Sequence, residues 1–249
     1  MLRRLLLAPA LTLAVIAMTA GHAGAIIGGH QVDQRTSWIA SVQRPDGAHV
    51  CTGSLVAPQW VLMAFHCTLA GPDFQVRIGS LDRSRGGELV GSAEVRPHPT
   101  AYFDEETHTF GGTDLALVKL DRPVRSTPIP LLTSPPRNGS PLRLLGWGYT
   151  CHTGCEELPE RLHEVTVPVD TEGCDTPERQ RLCARDLARG VAAGDSGGPG
   201  VVRTPGGWRL AGVTSGGGQD VETGEYHTLQ QDVSSHLEWL RATMGAGTP

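Results

Sequence analysis

Gly194-Asp195-Ser196-Gly197-Gly198-Pro199 sets one hydroxyl between glycines late in a 249-residue chain. A stretch of this kind turns sharply, so Ser196 Oγ projects from a bend while neighbouring backbone N–H groups converge on one point. That arrangement suits acyl transfer. A serine hydroxyl is a weak nucleophile at neutral pH and needs a general base, with a further group to orient the base. His66 is the candidate base, where the apolar run Trp60-Val61-Leu62-Met63-Ala64-Phe65 ends beside Cys67. Asp114 is the candidate orienter, opening a second apolar run, Leu115-Ala116-Leu117-Val118-Lys119-Leu120. An acid there can be buried without leaving its segment. The order is His, Asp, Ser, with separations of 48 and 82 residues. Each residue alone has an ordinary alternative as a packed histidine, a turn aspartate or a loop serine, so the weight lies in the combination.

Six ordered pieces widen that combination: Ile26-Ile27-Gly28-Gly29, Cys51-Thr52-Gly53-Ser54-Leu55, Ala64-Phe65-His66-Cys67, Asp114-Leu115-Ala116-Leu117, Gly146-Trp147-Gly148, and Gly194 to Pro199. On these the chain resembles a secreted serine protease of the chymotrypsin/trypsin family, of bacterial type, from Ile26 to about Arg241. The resemblance implies an all-β fold, two packed six-stranded antiparallel β-barrels with a C-terminal α-helix. It implies a serine endopeptidase in which Ser196 attacks, His66 carries the proton and Asp114 holds the imidazole. It assigns the oxyanion donors to the backbone N–H groups of Gly194 and Ser196. It pairs a free amino group at Ile26 with Asp195.

The resemblance also places a specificity pocket at Gly190, Ser215, Gly217 and Gly224. Gly190 stands where a trypsin-type enzyme carries the aspartate that pairs with a substrate Arg or Lys. The expected preference is therefore non-basic, for a large apolar or aromatic residue before the cleaved bond. This chain departs from the family pattern at several places. Ala192 replaces a frequent cysteine, Gly216 replaces the usual tryptophan, Arg189 adjoins the expected pocket floor, and Met63 and Phe65 add bulk beside His66. Three alternatives remain open: Arg/Lys specificity with Asp186 reaching the pocket, a non-catalytic protease-like binding protein, and a hydrolase of non-protein esters or amides.

The first 25 residues read as a separate object. Arg3 and Arg4 precede the apolar run Leu5 to Ala20, and Ala23-Gly24-Ala25 forms a small-x-small cleavage site, the pattern of a secretory signal peptide. A membrane anchor is the competing reading, with a run on the short side for a span. Cleavage after Ala25 leaves 249 minus 25, or 224, residues and exposes Ile26 directly, so the enzyme becomes competent on export; cleavage after Ala20 or Ala23 would require further trimming. Formal charge moves from -5 to -7 on losing the two arginines, with no basic patch to suggest nucleic acid. The expected product is secreted and extracellular, a monomer without cofactor or metal, off the membrane once the leader is gone. Its expected partners are protein or peptide substrates and proteinaceous inhibitors.

All six cysteines, Cys51, Cys67, Cys151, Cys155, Cys174 and Cys183, follow the leader. An even number in an exported chain favours disulfides, and sequence alone leaves 15 pairings. The family resemblance pairs Cys51 with Cys67 and Cys174 with Cys183, leaving Cys151 and Cys155 for each other. Zinc at Cys151, His152 and Cys155 is the thinner alternative for a single CxxxC.

Short Val/Ile/Leu-rich runs bounded by turn residues predict strands at 38–42, 54–56, 60–63, 75–78 and 115–120, then at 142–147, 162–169, 201–203 and 208–214. Residues 96–113 read as a long irregular loop, whose Asp104-Glu105-Glu106 run is a solvated surface before it is a calcium site. The proline-rich stretch 122–145 reads as the crossing between barrels. The expected division is 26–135 for the first barrel, 136–231 for the second and 232–244 for the helix. In that helix Asp232 is the cap, and Val233, Leu237, Leu240 and Met244 form the buried stripe.

Overall fold

The computed structural model describes residues 26–71, 73–151, 154–173 and 180–245. The expected leader and Cys174 lie outside the described residues. After a two-residue strand β1 (His30–Gln31), the first half is built from β2 (Ile39–Gln43), β3 (His49–Ala57), β4 (Trp60–Met63), β5 (Gln75–Ile78) and β6 (Glu88–Pro97). A hairpin of β7 (Tyr102–Asp104) and β8 (Thr109–Gly111) follows, and β9 (Ala116–Leu120) completes this half. Six of these strands close a barrel in the order β2-β3-β4-β9-β6-β5, every neighbour antiparallel. Closure removes free edges, which is how short strands of this kind protect their backbone polar groups.

All residues of β2 and β4 are buried. Burial of both faces leaves β4 as an unbroken apolar run, Trp60-Val61-Leu62-Met63, while β2 carries Ser41 and Gln43 among its buried residues. Leu55, Leu62 and Leu117 are fully buried, each contributing about 1.5–3 kcal/mol relative to exposure. Their cluster continues through Leu145, Trp147, Val201, Leu210 and Val213, so a single core crosses between the halves.

The second half contains β10 (Pro141–Gly146), β11 (His163–Pro168), β12 (Arg181–Asp186), β13 (Pro199–Thr204), β14 (Gly207–Gln219) and β15 (Tyr226–Asp232). It corrects the expectation of two closed six-stranded barrels. These strands and β1 form an open seven-stranded sheet in the order β1-β11-β10-β13-β14-β15-β12. The free edge of β11 is divided: its first two residues pair with β1 through His30–Glu164 and Gln31–His163. Beyond its other end only the Val169–Ala184 bridge reaches β12. Among the described residues no ladder runs along the seam, so the half barrel stays open.

The C-terminal segment also differs from the continuous helix expected at 232–244. Asp232 accepts from Ser234 N at 3.0 Å and starts a 3-10 turn over Val233–His236, after which α1 runs over Leu237–Met244. Val233 and Leu240 are fully buried, as the stripe requires. Among the described residues no helix is long and apolar enough to cross a membrane.

Candidate active site

His66 lies in a 3-10 turn, Phe65–Ala70, that begins one residue after β4. The Cys51–Cys67 disulfide ties that turn to β3. Asp114 precedes β9, which pairs with β4 through Met63–Ala116, so two distant segments deliver acid and imidazole to the same end of the barrel. His66 donates twice to the buried Asp114, from its backbone N to Oδ1 at 2.8 Å and from Nδ1 toward Oδ2 at 2.8 Å. Nε2 is therefore the nitrogen turned away from the acid.

Ser215 Oγ donates to the same Asp114 Oδ2 at 2.6 Å. It reaches across because β14 slips register against β15 between Thr214 and Gly216, and a bulge of this kind re-aims a side chain.

Ser196 is anchored from both halves. Thr52 N in β3 donates to Ser196 O at 2.8 Å, and Gly197 N donates to Thr214 O at 2.7 Å. Met63 and Ala64, at the end of β4, lie directly behind Gly197. The serine is thus carried by a loop of the second half and seated on the strand end that leads to His66.

Gly194 has φ 95°, and a Cβ there would lie 2.9 Å from Gly148 Cα, so conformation and space both exclude a side chain. Its carbonyl accepts from His49 Nε2 at 3.1 Å and Thr52 Oγ1 at 3.3 Å. His49 Nδ1 is 2.8 Å from Ser41 Oγ, and burial pushes the imidazole down to about 4, keeping it neutral. A carbonyl fixed on one side leaves the N–H of the following peptide, Asp195, in a fixed direction. The N–H of Gly194 belongs to the preceding peptide, which is held in turn by Tyr149 N donating to Ala193 O at 2.9 Å. Thr52 stands in the sequence only as part of the Cys51-to-Leu55 piece and His49 not at all, because their role depends on β3 passing behind the serine loop.

Asp195 is buried, with Oδ1 accepting from Gly148 N at 2.7 Å and Oδ2 from Ala192 N at 2.9 Å. Any Cβ at Gly146 or Gly148 would overlap this carboxylate, which is the physical content of the Gly-Trp-Gly piece. Burial raises the Asp195 carboxyl to about 7, against the pull of its two backbone donors. Ile26 is fully buried beside Leu142, Leu144 and Val191, and Ile27 O accepts from Gly190 N at 3.1 Å.

The expected pocket residues are only partly brought together. Gly190 backs onto Tyr226, and Gly217 pairs opposite Thr228. Gly224 lies elsewhere, beyond that pairing, in the turn where its N donates to Asp220 O at 2.8 Å. Thr228, 1% exposed, lies across from Gly217. Arg189 is engaged by Asp186, its Nη2 2.6 Å from Asp186 Oδ2. Val191 Cγ2 occupies the space that a Cβ on Gly217 would take.

Cys151 is paired with Cys155, which removes the thiolates a zinc site there would need. Cys183 is disulfide-bonded, and its expected partner Cys174 lies outside the described residues. Cys51, His66 and Cys67 come within 4.8 Å of one another, but the disulfide uses both sulfurs.

The family described as Trypsin matches residues 26–240. The chain belongs to the trypsin family. Proproteinase E of Bos taurus is 34% identical over 237 residues, 84% of this chain and 90% of its own length. Chymotrypsin-like elastase family member 3B of Homo sapiens is 32% identical over 219 residues, 80% and 79% of the two chains. Trypsin of Sarcophaga bullata is 32% identical over 211 residues, 79% of each. These relatives come from vertebrates and an insect, and give no support to the bacterial type expected above. As a member of the trypsin family the chain is a serine endopeptidase acting on protein or peptide substrates.

Proposed function

We propose that Ser196, His66 and Asp114 carry the peptide hydrolysis, in a secreted enzyme whose leader, residues 1–25, is removed to free Ile26. The observation that carries this reading is the double hydrogen bond from His66 to buried Asp114, which fixes Nδ1 as the protonated nitrogen and offers Nε2 as base. Ser196 Oγ adds to the scissile carbonyl as Nε2 takes its proton. The tetrahedral oxygen is received by the N–H groups of Gly194 and Ser196, and the imidazolium beside Asp114 then protonates the departing amine. A water, deprotonated by the same imidazole, releases the acyl group and restores Ser196.

The free amine of Ile26 supplies the cation that the buried Asp195 carboxylate otherwise lacks, and the pair holds the serine loop. The enzyme works as a monomer, and proteinaceous inhibitors fit the same cleft.

For the residue before the cleaved bond we propose a non-basic, apolar side chain. Asp186, the acid nearest the pocket floor in sequence, is engaged by Arg189 and by Ala188 N at 2.9 Å, which argues against Arg/Lys specificity. Val191 against Gly217, with Thr228 opposite and Tyr226 behind Gly190, supports a short or branched aliphatic side chain over the aromatic one that the glycines alone suggested.

The test uses processed protein beginning at Ile26. An organophosphonate should label the native enzyme and not Ser196→Ala, and a peptide series varying only the residue before the cut should be cleaved after Ala, Val or Leu. An unlabelled native enzyme would return the chain to the binding-protein reading, and cleavage confined to Arg or Lys would remove the pocket assignment.

A further inference from the structure

His98 lies just ahead of the hairpin of β7 and β8, and His236 ends the 3-10 turn before α1. The fold brings these distant residues into contact, with ring centroids 5.0 Å apart and planes at 77°. Trp239 stands against His98 as well, its centroid 4.9 Å away. All three line a cavity of about 1000 Å³, together with Thr113, Arg181 and Glu238. His236 is 3% exposed, and its Nε2 is buried with no hydrogen-bond partner among the described residues. Ring packing explains the contact but not the nitrogen, since a buried polar atom left unpaired is costly and calls for a partner.

The chemistry of the two rings says what that partner is. Burial lowers His98 from its ordinary value and pushes His236 down to about 4, with His98 adding to the effect against the pull of Asp232, so both imidazoles are neutral at neutral pH. Neutral imidazole attracts no anion and is the form that ligates a transition metal. His98 Nδ1 is turned to Thr100, 3.0 Å from Oγ1 and 3.3 Å from N, and that Oγ1 donates in turn to Thr113 Oγ1 at 2.9 Å. The shorter contact takes a proton from Nδ1, which leaves Nε2 as the ligand atom and orients the ring. Two imidazoles on one tetrahedral ion, at metal–nitrogen distances of about 2.0–2.1 Å, have ring centres about 5 Å apart. The 5.0 Å found here fits that spacing. We propose that His98 and His236 bind a divalent ion of the zinc class through Nε2 of each, clasping the base of the hairpin to the C-terminal turn. Among the described residues no third His, Cys, Asp or Glu atom is grouped with them, so the remaining positions fall to water or to Glu238 in the same cavity wall. The metal-free expectation from the sequence is thereby revised. Catalysis is touched through the backbone: His98 N donates to Leu115 O at 2.8 Å, so an ion that holds His98 also holds the segment leading to Asp114.

The experiment titrates processed Ser196→Ala protein with zinc chloride by calorimetry, beside the same protein carrying His236→Phe, His98→Asn or His227→Asn. His236→Phe keeps an aromatic ring in the buried place and removes the ligand. His227 is the control because it lies at the other end of β15, 4.0 Å from Asp220. The parent and His227→Asn should bind a single Zn2+ per molecule with equal affinity, and their urea midpoints should rise with zinc concentration. His236→Phe and His98→Asn should each weaken binding by about tenfold or more and lose that rise. No saturable binding by the parent, or undiminished affinity in either folded variant, overturns the proposal, as does an equal loss in His227→Asn. Urea midpoints without zinc show which variants are folded, and His98→Asn, at a half-buried position, decides alone if His236→Phe is not. Zinc binding needs no turnover, so its failure leaves the assignment of Ser196, His66 and Asp114 standing.

Discussion

Asp114 accepts three hydrogen bonds, two from His66 and one from Ser215, and each constrains what can replace it. Asp114→Asn keeps the shape but must aim an amide N–H2 at one of those donors, turning the imidazole to the wrong tautomer. The expected outcome is a fall in kcat of about four orders of magnitude with little change in KM, a figure carried over from the family's well-known triad rather than from these distances. Steady-state kinetics on one peptide ester checks it, and a loss below tenfold would detach Asp114 from the chemistry. His66, Asp114 and Ser196 stand out as candidates because each is embedded in a local motif whose neighbours are read with it. Thr228 does not, because its place opposite Gly217 is decided by the pairing register of β14 and β15.

Among the elements, the loop before Ser196 carries the most constraint. Gly194 takes a left-handed backbone conformation, with Gly148 in contact on one side and His49 bonded to its carbonyl on the other. Gly194→Ala forces the loop to move, and with it the N–H proposed to receive the substrate oxygen. Loss of one such donor costs about 2.7–4 kcal/mol of transition-state stabilisation, so kcat should fall by about two to three orders of magnitude. The unfolding midpoint in urea should show that the variant is still folded, and activity within a few-fold of native would show that this N–H is not used. The strands of the first half could be read from their apolar runs, since β2 and β4 are buried on both faces. The ribbon of β7 and β8 could not, because its side chains face solvent and His66 rather than a core, and no two-residue period announces it. The pairing of β1 with β11 is hidden for a related reason: it brings a two-residue strand from the far end of the chain.

For the molecule as a whole, burial sets the response to pH. His49 and His236 are buried, and their ring pKa values are lowered to about 4 from 6.5. Between those values the unfolded chain binds protons that the folded one refuses, so stability should fall as pH drops from about 6.5 to 4. Asp195 has the opposite sign while Ile26 remains an amide. Its carboxyl, raised to about 7 from 3.8, keeps a proton that the unfolded chain has already released. The unprocessed protein should therefore lose stability through this group as pH rises from about 4 to 7. A free amine at Ile26 offers Asp195 a cation and removes that loss. Urea unfolding of Ser196→Ala, with and without residues 1–25, should show a gap that widens from pH 4 to 7. Parallel curves would mean that Ile26 does not pair with Asp195.

The short β1 strand gives the molecule an unusual seam. Residues 26–31 precede the closed barrel in the chain but belong physically to the open sheet, where His30 and Gln31 cover the edge of β11 and Ile26 is packed among its apolar residues. The proline-rich connection after Leu120 therefore does not mark a line along which the protein comes apart. A gene cut there would yield a front fragment holding a plug it cannot use and a rear fragment with an unfilled hole, so neither piece is a self-sufficient folding unit.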